Sequence, residues 1–322
     1  MFIINPYRFG TTTPFVGILD LYPGAAYAYS TRKLSSTYNG PALKLRETIT
    51  NVEGTVAFDT NNEVSMSSII TITNQGTSPW IIGTSISLST FAGSSTVYVT
   101  TWYDQSGNGK HLSNGTSSSQ PIFVTSGTME TVLGSGTGSV AKPAIRFSAG
   151  SSTFLSRSTP VIDITSSGNS GIIAVSKFDV DVQQMIYSDS TSSNSRYGLA
   201  MQVASTGVGF SYRSGLSSPS IQVKYGSTTN RTKLNLHIAV NGPYANAFTN
   251  ANVYENGSIV TNVAQAPSAG FTSPGEIVVG RPSNAISLYA TGKLCEIISY
   301  TTDISSNRTG METNVNNYYK MY

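Results

Sequence analysis

The stretch Thr100-Thr-Trp-Tyr-Asp-Gln-Ser-Gly-Asn-Gly-Lys-His-Leu112 constrains the fold more than any other part of the chain. It opens in alternation. Val97, Val99, Thr101 and Tyr103 fall on one side, and Tyr98, Thr100, Trp102 and Asp104 on the other, the period of a strand. It closes in a polar turn at 104–109, where Asp and Asn side chains can bond nearby backbone and the two glycines supply positive φ. An aromatic strand that runs straight into so much turn chemistry points to an antiparallel β fold.

The rest of the chain agrees. Short runs with strand character recur at 42–48, 52–59, 80–88, 97–104, 122–124 and 144–147, then at 170–178, 184–188, 198–203, 207–213, 221–225, 234–241, 252–255, 258–263, 276–280 and 292–300. Asn256-Gly257, between Val253-Tyr-Glu and Ser-Ile-Val260, is the sequence of a type I′ hairpin. Leu234, Leu236, Ile238 and Val240 alternate with Asn235, His237, Ala239 and Asn241, which predicts a half-buried strand with a polar outer face. Many short strands with Gly-rich turns predict an all-β sandwich. Two helices are expected: one over 25–34, and one after Asp303 or Ser305 that carries Met311, Val315, Tyr318 and Tyr319 and closes one end of the sandwich. The low-complexity stretches 113–120, 133–141 and 188–195 read as surface loops and candidate contact sites.

Composition narrows the function. Charged residues are 11 % of the 322, about half the usual share, and the net charge is +3, which gives no footprint for nucleic acid or membrane. The single cysteine, Cys295, excludes an intrachain disulfide and lies in an apolar run, as a buried inert thiol would. No apolar run is long enough to span a bilayer, and the N-terminus lacks the pattern of a signal peptide. Hydrolase elbows, phosphate loops and zinc motifs are missing. His111 and His237 read as ordinary turn and surface histidines. Asp179, Asp181 and Asp189 do not have the spacing of a calcium site. No metal or cofactor is expected.

The Tyr103-Asp-Gln-Ser-Gly-Asn-Gly109 segment resembles one in the catalytic sandwich of fungal α-L-arabinofuranosidases, as does Thr31-Arg-Lys-Leu34 followed by Tyr38-Asn-Gly-Pro41 and a basic strand. The same pairing is similar to virion proteins of tailed bacteriophages built on a concanavalin A-like, LamG-like sandwich. Gly280-Arg-Pro282 and the segment 293–308 resemble the phage proteins more. The resemblance implies one concanavalin A-like jelly roll over 18–322, preceded by an arm at 1–17. The arabinofuranosidase centre has a vicinal cysteine pair, which a chain with one cysteine cannot form.

These readings set three expectations. The first is a non-enzymatic phage virion protein, a capsid decoration or head fibre, made in the host cytoplasm and carried in the extracellular particle. Its partners would be other capsid or tail proteins and copies of itself, a trimer being one option, with a host glycan held weakly. The second is a tail adhesin that recognises host carbohydrate, and the third an arabinofuranosidase-like glycoside hydrolase. Sugar contacts fall on Trp102, Tyr103, Asp104, Gln105 and Asn108, an aromatic platform beside planar polar groups. Partner docking falls on Phe2, Ile3, Tyr7, Phe9 and Phe15 of the arm. No residue is assigned as catalytic. Glu296, alternating with Leu294 and Ile298, is the most enzyme-like carboxylate, against the simpler reading of a side chain bonded by arginine.

Overall fold

The computed structural model describes residues 14–157, 171–180, 182, 184–192, 195–201, 208–213, 221–225, 232–240, 252–264, 276–282 and 288–322. The docking residues Phe2, Ile3, Tyr7 and Phe9 lie outside them. Phe15 is half-buried, its ring 6.0 Å from Lys33 Nζ.

Two antiparallel sheets form a β-sandwich. One runs through Ser85–Ser87, Ile69–Asn74, Glu53–Val56, Leu43–Glu47, Val97–Trp102, Leu112–Ser113 and Leu155–Arg157. It continues through Glu276–Val279, Gln184–Ser192, Ser195–Met201, Val208–Arg213, Ile221–Tyr225 and Asn262–Ala264. The other is centred on Gly292–Tyr300. Ala25–Ser30 and Ile145–Phe147 share one side of that strand, and Gly171–Phe178, Asn235–Val240, Asn252–Glu255 and Ser258–Ile259 follow on the other. Ile122–Thr125 pairs with a strand of each sheet and joins them at a corner.

The facing sides make the main core, in which Leu43, Leu45, Val97, Val99 and Trp102 meet Ile172, Ala174, Leu294 and Ile297. Complete burial of such side chains contributes about 1.5–3 kcal/mol each. The far side of the second sheet is also covered. Ile18 of the short helix Ile18–Leu21 and Met311, Val315 and Tyr319 of the helix Arg308–Tyr319 pack there on Ile173, Val175, Leu236, Ile238 and Ile298. The C-terminal helix therefore lies over a sheet face and does not close the end of the sandwich.

This third layer explains two departures from expectation. Residues 25–30 form a strand in place of a helix, because Ala-Ala-Tyr-Ala-Tyr-Ser is buried on both faces and has no polar alternation. A short run of that kind cannot be told from a helix by period. Asn235–Val240 is likewise buried on both sides, so His237 is fully enclosed and faces Glu255 at 3.2 Å. The stretch expected to be a loop from 188 is a strand as far as Ser192. The Asn256-Gly257 hairpin forms as expected, with φ of 50° and 81°.

Candidate carbohydrate site

The 104–109 turn is fastened to the first strand and its sequel by three side chains. Asp104 Oδ1 accepts from the N–H groups of Ala28 and Ser106, both at 2.9 Å, and Oδ2 accepts from Lys110 N and Ser106 Oγ, both at 2.9 Å. Gln105 Oε1 accepts from Leu34 N at 2.8 Å, and Nε2 donates to the carbonyls of Ser30 and Arg32 at 3.1 and 3.0 Å. Asn108 Nδ2 donates to the carbonyls of Ala25 and Ala26. Gly107 has φ of +88°, so a side chain there would be strained. Residues this far apart in sequence meet because the turn lies along the free edge of the first strand, which among the described residues pairs only with Gly292–Tyr300, and completes its backbone bonds.

This geometry reassigns most of the expected sugar contacts. Trp102 has no exposed surface and lies 5.8 Å from the Tyr29 ring in the core, so it offers no platform. Asp104 and Gln105 are buried, with their polar atoms committed to backbone. Asn108 is exposed, but its amide is directed at the first strand. Tyr103 is half-buried and meets His111 edge-on at 4.8 Å. His111 Nδ1 accepts from Asp104 N at 3.1 Å, and burial first, then Arg157, pushes the imidazole below its ordinary pKa despite Asp104.

Beside the turn opens a cleft of about 410 Å³, lined by Asp20, Ser35, Thr37, Tyr38, Gln105 and Ser106 among others. Tyr38 supplies its aromatic wall. The ring is held edge-on to Phe58 at 6.3 Å, the hydroxyl donates to Pro41 O at 2.9 Å, and burial together with the Asp104 charge pushes that hydroxyl well above its usual range. Asp20 supplies the charge. Its carboxylate accepts from Gly17 N, Ser36 N and Ser35 Oγ at 2.7–2.8 Å. Burial alone would raise its pKa, but these donors together hold it below the ordinary value. The result is a polar cleft with one aromatic side and one ionised carboxylate, a set that suits a polyhydroxylated ligand. Neither Asp20 nor Tyr38 was among the sequence candidates. The available signal was Tyr38-Asn-Gly-Pro41, whose tyrosine lines the cleft.

Glu296 is not a cleft residue. A bulge between Val175 and Ser176 shifts the pairing by one, so Glu296 faces the helix layer, opposite to Leu294. There it is fully buried and bidentate with Arg32 at 2.7 and 2.9 Å, with Ser30 Oγ donating at 2.9 Å. Burial would lower the Arg32 guanidinium, but the Glu296 charge outweighs it and holds Arg32 above its ordinary value. The neighbouring Cys295 is buried, and its thiol is pushed far up. Among the described residues no group of three metal-ligating side chains is present.

No family model and no curated protein sequence matches the chain. Solved structures do. An arabinofuranosidase complexed with arabinofuranosyl-α-1,2-xylobiose superposes over 92 % of the chain with a TM-score of 0.58 at 16 % identity. A family GH54 α-L-arabinofuranosidase soaked with a cyclic sulfate inhibitor does so over 92 % with a TM-score of 0.56 at 17 % identity. The chain spans 63 % of the length of each. At this identity the likeness shows the fold, a β-sandwich shared with carbohydrate-active enzymes. It overturns the expectation of a non-enzymatic protein, because solved structures that match 92 % of the chain are arabinofuranosidases. The expected virion role finds no support among these structures.

Proposed function

We propose that the chain is a carbohydrate-active protein that takes a glycan into the cleft beside the 104–109 turn. One observation carries this reading. The cleft is lined from both segments whose motifs resemble arabinofuranosidases, Tyr38 from one and Gln105 and Ser106 from the other, in a chain with the fold of those enzymes. Glycoside hydrolysis of the arabinofuranosidase type is the reaction class that the fold supports. It needs two carboxyl groups about 5–9.5 Å apart. Asp20, held ionised, has the state of a base or nucleophile and not of an acid.

The test combines calorimetric binding of arabinoxylo-oligosaccharides with initial rates on 4-nitrophenyl α-L-arabinofuranoside, for wild type, Tyr38→Ala and Asp20→Asn. The expected result is binding that weakens at least tenfold in folded Tyr38→Ala. Turnover that disappears in Asp20→Asn would place the hydrolase chemistry in this cleft. A wild-type protein that neither binds nor turns over any glycan would overturn the proposal. The setting belongs to the same proposal: a phage virion, with capsid or tail proteins and further copies of the chain as partners. Its support is the motif likeness at 280–308, and copy number in purified particles tests it.

A further inference from the structure

A second pocket, of about 440 Å³, lies between the 135–137 loop, residues 233–235, Asn256 and residues 321–322. Its construction centres on one side chain. Asn316, in the last turn of the C-terminal helix, accepts from Met321 N at 2.8 Å and Tyr322 N at 3.3 Å through Oδ1, and donates through Nδ2 to Tyr322 O at 2.8 Å. Lys320, with φ of 52°, turns the chain out of the helix, and its carbonyl receives Gly136 N at 2.7 Å from the loop. The backbone of Tyr322 is thus clamped while the residue stays 49 % exposed. A tyrosine with an untethered backbone would sample many positions. This one is set against the 256–257 turn, where the ring lies close to Gly257.

The rest of the wall is mixed, and its amides are fixed. Asn256 Oδ1 accepts from Leu236 N at 2.9 Å, and Asn256 Nδ2 donates to Asn235 Oδ1 at 2.8 Å. Ser135, Thr137 and Lys233 add exposed polar groups, and Leu234 and Met321 add apolar surface. An oriented ring can stack on the C–H face of a sugar, while the exposed Ser135 and Thr137 hydroxyls and the Lys233 ammonium bond its hydroxyls. Burial, then Glu312, pushes the Tyr322 hydroxyl up to about 12, so it stays a neutral donor at physiological pH.

We propose that this pocket is a second carbohydrate subsite, holding one sugar ring against Tyr322. It takes its ligand class from the carbohydrate reading above but uses none of the residues of the first cleft. The two differ in charge: Asp20 stands in the first and Lys233 in the second. A carboxylated sugar should therefore be tolerated here and disfavoured there.

The experiment uses the intact chain with ring-labelled tyrosine, titrated by NMR with glucose, xylose and glucuronate at millimolar concentrations. We expect saturable shifts of the Tyr322 resonance. The Tyr322 shifts should weaken at least fivefold in Asn316→Ala, and the part of the sugar's saturation-transfer signal that Tyr38→Ala leaves in place should be lost in Tyr322→Ala. Lys233→Gln should remove any advantage of glucuronate over glucose while glucose still binds. A Tyr322 resonance unmoved by all three sugars overturns the subsite. If glycan binding is then lost in Tyr38→Ala, the first cleft stands alone. If Tyr322 responds and Tyr38→Ala changes nothing, the subsite stands and the first cleft falls.

Discussion

The turn at 104–109 and the tail at 316–322 are built by the same device with opposite results. In each, one side chain gathers several backbone groups: Asp104 takes three N–H groups, and Asn316 takes two N–H groups and meets one carbonyl. At the turn everything gathered faces inward. Asp104, Gln105 and Trp102 are buried, and apart from the edge that Gln105 and Ser106 lend the cleft, the groups facing it belong to the turn's neighbours, Tyr38 and Asp20. At the tail the clamp faces outward and leaves a half-exposed aromatic ring beside a pocket. A motif rich in polar residues can thus be architecture, while the open surface beside it is built by less conspicuous residues.

The strongest way to break the comparison is to remove what the two regions share. The Arg32 carbonyl receives Gln105 from the turn, and its guanidinium bonds Asn314 on the helix that carries the tail. Its charge is matched by Glu296. Glu296→Ala would leave Arg32 buried without its partner and should cost about 3–5 kcal/mol, read by denaturant unfolding. Asp104→Ala comes next. It orphans the enclosed Ala28 N–H and loosens the turn, with an expected loss of about 2–4 kcal/mol in the same measurement. Asn316→Ala should cost only about 1 kcal/mol, because Asn316 is half-buried and of its two donors only Met321 is enclosed while Tyr322 is exposed. If the last two losses were equal, the contrast between an inward and an outward clamp would be wrong.

The smallest effect sharpens the account of the cleft. The folded pKa of Asp20 is depressed, so its hydrogen bonds stabilise the protein fully above the ordinary carboxylate pKa. That contribution is lost as pH falls through the lower folded value. The stability difference between wild type and Asp20→Asn should therefore be present at pH 7 and shrink by pH 3. A difference that grows on acidification would mean that the donors to Asp20 are not those described.

Most strands, the 256–257 hairpin and the last helix were legible in sequence, because their alternation and turn residues act locally. The architectural part of the 104–109 turn was legible for the same reason, since Asp followed by Ser and Gly specifies a side-chain-bonded turn. Three features were not. Residues 25–30 carry apolar side chains on both faces, so no period marked them as a strand. Glu296 was expected on the side of Leu294, and one bulge, invisible in sequence, put it on the other. The cleft was missed because it joins Asp20, Tyr38 and Gln105, residues brought together only when the turn docks on the first strand. The tail pocket was half visible: 133–141 read as a contact loop, but nothing local linked it to Asn256 or Tyr322.

The central claim is that carbohydrate binds beside the signature turn and not through the side chains that build it. A glycan array probed in parallel with wild type, folded Tyr38→Ala and folded Asn108→Ala tests this most directly. The account predicts that wild type and Asn108→Ala bind the same glycans with similar strength, while Tyr38→Ala loses at least tenfold. Loss of binding in Asn108→Ala with Tyr38→Ala unchanged would contradict it and return recognition to the turn itself.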